Sequence, residues 1–175
     1  MSKYSTSPTG VERTFPDSKF IVSKTDLKGR LTYVNRTFMD LADYNIDELL
    51  GEPHSKIRHP DMPRCIFNLL WEYIQNQKEI FAYVMNMAKN GDHYWVIAHV
   101  TPSYDENGNH IGYHSNRRVP KKSALDVIKP IYNQLLGIEA QHTNKKEGMA
   151  ASTAALVDTL NQQGVGYDEF IFSIS

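Results

Sequence analysis

An α+β domain built on one five-stranded antiparallel sheet, with its helices on one face, is the fold class that the sequence predicts. Two short strand patterns lie before residue 35, three longer ones follow residue 80, and residues of helical spacing stand between them. Asn90-Gly91 and Asn107-Gly108 separate the last three patterns, and such dipeptides favour tight hairpins, so these strands are antiparallel neighbours. With 175 residues and 41% hydrophobic content, the chain suits one compact domain plus a tail. Two strands from one end and three from the other complete a single sheet if the intervening helices pack on one face. A half-covered sheet of that kind leaves a ligand cleft.

Residues 1–19 are polar and read as an N-terminal arm or cap, followed by a domain over 20–120 and a helical extension with its tail over 121–175. Residues 20–23 and 31–34 read as strands joined by a hairpin through Asp26-Leu27-Lys28-Gly29. Asn35 has the position of an N-cap for a helix over 36–42, and 45–50, closed by Gly51, reads as another helical turn.

The run Ile57-Arg58-His59-Pro60-Asp61-Met62-Pro63 places a guanidinium, an imidazole and a carboxylate within four positions between two prolines. Pro60 holds His59 extended and Pro63 suits a first helical turn, so Arg58 and His59 are presented at a helix entrance, a plausible grip for a phosphorylated cofactor. Asp61 equally reads as an ordinary N-cap paired with Arg58. The helix is expected over 62–77, with Met62, Ile66, Leu69, Leu70 and Tyr73 on one apolar face. Strands follow at 80–87, 93–103 and 110–119.

Beyond them, 123–136 carries Leu125, Ile128, Tyr132 and Leu135 on one helical stripe, with an interruption expected near Pro130. A polar break over 144–146 precedes a second amphipathic helix over 149–160, with Met149, Thr153, Leu156 and Leu160 along one side. The tail ends in Phe170-Ile171-Phe172, suited to a strand edge or a partner.

A net charge of −1 gives no steering toward nucleic acid or an acidic membrane. Arg117-Arg118 and Lys121-Lys122 read as solvated charge at a strand end and a helix start. The single cysteine, Cys65, excludes an intrachain disulfide and a Cys-rich zinc site, and reads as a packing residue. No apolar window approaches the ~18 residues that a membrane span needs, so a cytoplasmic protein is expected, acting on any membrane process through a partner. His110 and His114 share a strand face, as do His93 and His99, but no metal-site spacing is present. No nucleophile accompanies His59 and Asp61, so the residues give no sign of an enzyme.

Thr25-Asp26-Leu27-Lys28-Gly29-Arg30 before a strand ending Val34-Asn35, in this order of elements, resembles a PAS domain. More narrowly, Arg58-His59-Pro60-Asp61-Met62-Pro63 and Lys89-Asn90-Gly91-Asp92-His93-Tyr94-Trp95-Val96 resemble the PAS domain of the Aer-type aerotaxis receptors. The length and helical tail are closer to the stand-alone, CetB-like PAS proteins of bipartite energy-taxis systems. The resemblance covers roughly residues 20–137. It implies a non-covalently bound FAD whose redox state reports electron-transport or oxygen status to a membrane-bound or cytoplasmic chemotaxis signalling protein, with a homodimer as a further arrangement.

Carried over by position, the flavin-site residues are Asn35, Arg58, His59, Asp61, Phe67, Trp71 and Asn86. Arg58 would grip a pyrophosphate or a flavin carbonyl, Asn86 would face the polar edge of the isoalloxazine, and Phe67 and Trp71 would pack on its ring. Ile80-Phe81 and Met87-Ala88 stand where flavin-binding relatives often have a Trp and two arginines. Gly51-Glu52-Pro53-His54 stands where light-sensing LOV domains hold a reactive Cys, so a photoadduct is not expected. A haem-binding gas sensor and a cofactor-free interaction module are the alternatives on the same fold.

Overall fold

The computed structural model describes residues 6–175. The part of the expected arm over 1–5 lies outside the described residues. Strands β1 (Ile21–Asp26), β2 (Leu31–Val34), β3 (Ile80–Met87), β4 (His93–Tyr104) and β5 (His110–Arg118) form one antiparallel sheet in the order β2-β1-β5-β4-β3. The expected five-stranded sheet is therefore present: β2 and β3 have the expected bounds, β1 starts one residue later and ends three later, and β4 and β5 each end one residue away.

The hairpins close as their chemistry dictates. Asp26 Oδ1 accepts from the backbone of Lys28 and Arg30, and Gly29 takes the left-handed φ of 75° that the turn requires. Gly112 has a different reason to be glycine: a Cβ there would lie 2.0 Å from the Thr25 carbonyl, where β1 pairs with β5.

Between β2 and β3 lie α1 (Arg36–Ala42), two 3-10 turns and α2 (Arg64–Gln75). Alternation along the strands gives each face its own cover. Ile21, Ser23, Ala82, Val84, Ala98, Tyr113 and Arg117 share one face, over which α1, α2 and the turns pack. On the opposite face, Trp95 and Tyr83 meet Tyr132 of α3 (Lys122–Ala140), whose hydroxyl donates to the Tyr83 carbonyl at 2.8 Å.

Helix α3 buries Leu125, Ile128, Tyr132 and Leu135, as the stripe predicted, but runs unbroken through Pro130. Pro130 is solvent-exposed, so the carbonyl deprived of its donor can turn to water. Helix α4 (Lys145–Gln163) begins earlier than expected because Asn144 caps it by accepting from Lys146 N–H at 2.9 Å. Gly148 lets it approach α3, since a Cβ there would meet the Glu139 carbonyl at 2.9 Å. The tail folds as α5 (Tyr167–Ile174), which buries Phe170 and Ile171 and packs on edge strand β3.

Buried Glu139 joins the extension to the rest of the fold. Its carboxylate accepts from Cys65 N–H at 3.1 Å and Ser152 Oγ–H at 3.0 Å, and lies 3.4 Å from Arg64. It therefore caps the entrance of α2 from a distance of 74 positions. Asp61 was expected in that role, but it is exposed and the cap position falls on Pro63, which has no side-chain acceptor.

The described part of the arm is tied to β4. Val11 and Arg13 exchange backbone hydrogen bonds with His93, and the Arg13 guanidinium donates to Asp92 at 3.0 Å and to the Leu41 carbonyl at 2.9 Å. Hydrogen bonds from Thr9, Asn90 and Arg13 hold the Asp92 carboxyl down to about 2. Among the described residues no helix is long and apolar enough to cross a membrane.

Candidate functional site

The covered face of the sheet does not close completely. A cavity of about 420 Å³ remains between β1, β3, β4 and β5 on one side and α2 with the 52–58 turn on the other. That size falls within the range of small-molecule sites, roughly 300–1,000 Å³. Its walls are largely apolar, from Val84, Ala98, Val100, Leu70 and Ile74. Four cationic side chains line it, Lys28, Arg58, Arg64 and Arg117, and no carboxylate does. Such a lining favours an anionic ligand.

Arg58, Phe67, Trp71 and Asn86 all line this cavity. Arg58 and Asn86 are 28 positions apart in sequence, yet their backbones pair as an isolated antiparallel bridge along the outer edge of β3. The segment after Arg58 also shields that edge, with Met62 Sδ lying 3.3 Å from Met85 N–H. Arg58 lays its guanidinium 3.9 Å above the Phe67 ring and is half-buried. One helical turn on, Trp71 rests against Gly29, where a Cβ would come within 2.9 Å of the indole. Its ring also meets Tyr113 edge-on at 5.8 Å. Asn86 is buried directly across from Tyr94, whose hydroxyl burial pushes up to about 12.

Asn35, His59 and Asp61 are not among the cavity-lining residues. Asn35 is occupied structurally: its Oδ1 accepts from Phe38 N–H and Val22 N–H, both at 3.0 Å, and its Nδ2 donates to the Phe20 carbonyl. It ties α1 to β1. His59 is buried with its ring edge-on to His93 at 5.7 Å, and its Nδ1 accepts from Asp61 N–H at 3.1 Å. The imidazole faces His93 of β4 rather than the cavity. Burial is the main cause that lowers its pKa.

Among the lining residues that the sequence reading missed, Arg117 and His54 stand out. Arg117 was assigned to solvated charge, yet it is 1% exposed and lies on the cavity face. Strand alternation carried the signal, because Tyr113, Ser115 and Arg117 fall on one side of β5 and His114, Asn116 and Arg118 on the other. Arg117 Nη2 donates to Ser23 Oγ, and its guanidinium stands 5.0 Å over the Phe38 ring. Burial lowers its pKa to about 10, opposed by Tyr94, so it stays protonated at neutral pH.

His54 completes the group, edge-on to Phe38 at 6.1 Å with Nε2 3.4 Å from Ser23 Oγ. Burial and then the Arg117 charge push it down to about 3. An unfolded histidine near 6.5 takes up its proton first, so stability from His54 is full above about pH 6.5 and falls as pH drops toward 3. Denaturant titrations between pH 7 and 4 are expected to show a flatter pH dependence for His54→Gln. An unchanged slope would assign the acid sensitivity to other groups.

An antiparallel sheet in this strand order, helices over one face and a cavity beneath them define the class of PAS domains. Residues 31–116 match the family model described as the PAS fold, and the chain belongs to the PAS family. Within it, the chain is similar to the aerotaxis receptor of Escherichia coli (strain K12), at 36% identity over 130 residues covering 74% of this chain. The chain spans only 25% of that receptor's length. Among solved structures, the light-state Aureochrome1 LOV blue-light photoreceptor superposes with a TM-score of 0.57 at 18% identity, covering 67% of this chain and 92% of that chain. A PAS domain from Colwellia psychrerythraea gives 0.52 at 22% identity, covering 57% and 85%.

Proposed function

We propose that this chain is a cytoplasmic PAS sensor of energy taxis that holds FAD non-covalently and passes its redox state to a chemotaxis signalling protein. The observation that carries the reading is the cavity itself, apolar in its walls, lined by four cations and free of carboxylates. The likeness to an aerotaxis receptor over most of the chain supports the same reading.

The residues fit a flavin dinucleotide. Exposed Lys28 and the partly exposed Arg64 stand with Arg58 where phosphates can be met, and the planar fork of Arg58 suits a pyrophosphate. Phe67 and Trp71 offer aromatic surface, and Asn86 an amide donor and acceptor. When bound, a flavin supplies a two-electron redox couple. The chain's part is to exclude water and to orient the ring, with Asn86 at its polar edge and Arg58 on the phosphates. His59 lies outside the cavity lining, against His93. The output surface in this reading is the α3–α5 extension, facing a signalling domain on a membrane-bound or cytoplasmic partner, or a second copy of the chain.

The test is an absorption spectrum of freshly purified protein, followed by chromatography of whatever ligand denaturation releases. Bands of oxidised flavin and released FAD are expected. A Soret band would replace the reading with haem, for which His54 is the histidine lining the cavity. A colourless protein that refuses added FAD would leave an interaction module.

A further inference from the structure

Arg117 differs from the other three cations of the cavity. Lys28, Arg58 and Arg64 reach solvent to some degree, whereas Arg117 is 1% exposed. Its Nη2 donates to Ser23, but Nε and Nη1 have no hydrogen-bond partner. No carboxylate pairs with it among the described residues, and Tyr94, the one group that raises its pKa, keeps an uncharged hydroxyl at neutral pH. A guanidinium taken out of water without a counter-ion is strongly unfavourable, and its orphaned donors add to the penalty. The charge of such a residue is balanced once an anion enters the cavity it lines.

We infer that Arg117 is the counter-ion for negative charge on the cavity's ligand, and that with FAD bound this is the charge the isoalloxazine gains on reduction. The inference rests on the flavin reading above. A two-electron donor delivers two electrons, and one proton from solvent goes to N5 of the ring. One negative charge then remains along the N1–C2=O edge. The Nε–H and Nη1–H of Arg117 point to different sides of the guanidinium, so it acts on that edge as a buried positive charge without a counter-ion rather than as a two-bond clamp. The cations near the mouth behave differently, because phosphate charge is the same in both redox states and their attraction is uniform. Arg117 alone would bind the reduced form more tightly than the oxidised one, and so raise the potential of the bound flavin.

The experiment compares the full chain with Arg117→Gln and Arg117→Lys, each loaded with FAD. The dissociation constant of oxidised FAD and the midpoint potential in a spectroelectrochemical cell are measured. The bound flavin of the unaltered protein is expected above free FAD in potential. Arg117→Gln is expected to weaken the reduced form relative to the oxidised by about tenfold to a hundredfold, a fall of about 30 to 60 mV for a two-electron couple. Arg117→Lys should recover part of it. An Arg117→Gln protein that binds FAD at an unchanged potential overturns the inference and leaves the flavin reading standing. If that variant does not fold, the unaltered protein decides: a potential at or below that of free FAD overturns the inference. Failure of the unaltered chain to bind FAD overturns both.

Discussion

Replacing Glu139 by alanine is expected to lower the unfolding free energy by about 3 kcal/mol, although Glu139 itself does not line the cavity. The substitution strips the Cys65 N–H and the Ser152 hydroxyl of their acceptor in a buried place and leaves Arg64 without its ion pair. For a chain of this size the melting temperature should fall by roughly 6–12 °C. Glu139→Gln keeps an acceptor of the same shape and should lose less, with the Arg64 attraction gone. Thermal melts of the three proteins read the difference directly. A melting temperature unmoved by alanine would mean that α2 is capped by water and that α3 holds its place through apolar packing alone.

The second large effect is expected at Arg58. Removing one charge-assisted contact to a phosphate or flavin carbonyl is worth roughly 1.5–3 kcal/mol, so Arg58→Ala should weaken FAD binding about tenfold to a hundredfold. Folding should change little, since the side chain is half-buried and its position at the β3 edge is fixed by backbone pairing. Arg58→Lys is expected to restore only a small part, because an ammonium cannot reproduce the fork or its packing on Phe67. Flavin fluorescence titration of the apoprotein measures all three. Equal affinities would assign the grip to Lys28 and Arg64.

Local signals made most of the sheet legible. Asn-Gly turns, strand alternation and the stripe over 125–135 each act within a dozen residues, and the chain obeys them. Long-range partners are what the sequence conceals. Nothing near residue 64 announces that its helix is capped from position 139, nor that Asp92 would anchor the arm through Thr9 and Arg13. Asn35 is the N-cap that its position announced, but its second acceptor role toward Val22 N–H, thirteen positions away, was not legible. The prolines near His59 say nothing of the direction of its ring, which faces His93. Arg117 was hidden by its neighbour, since a pair of arginines looks solvated until the pleat sends one to each side of the strand.

Met149 of α4 reaches the cavity wall, and Arg64 at the same wall is held by Glu139 of α3. The pocket is therefore completed by the extension rather than by the sheet domain alone. Occupancy of the pocket and docking of the α3–α4 pair then share one free-energy cycle. A ligand that prefers the closed wall tightens the helices against α2, and a partner that draws the helices away loosens the ligand by the same factor. A signalling protein seated on this extension would thus retune the sensor's own affinity while receiving its message.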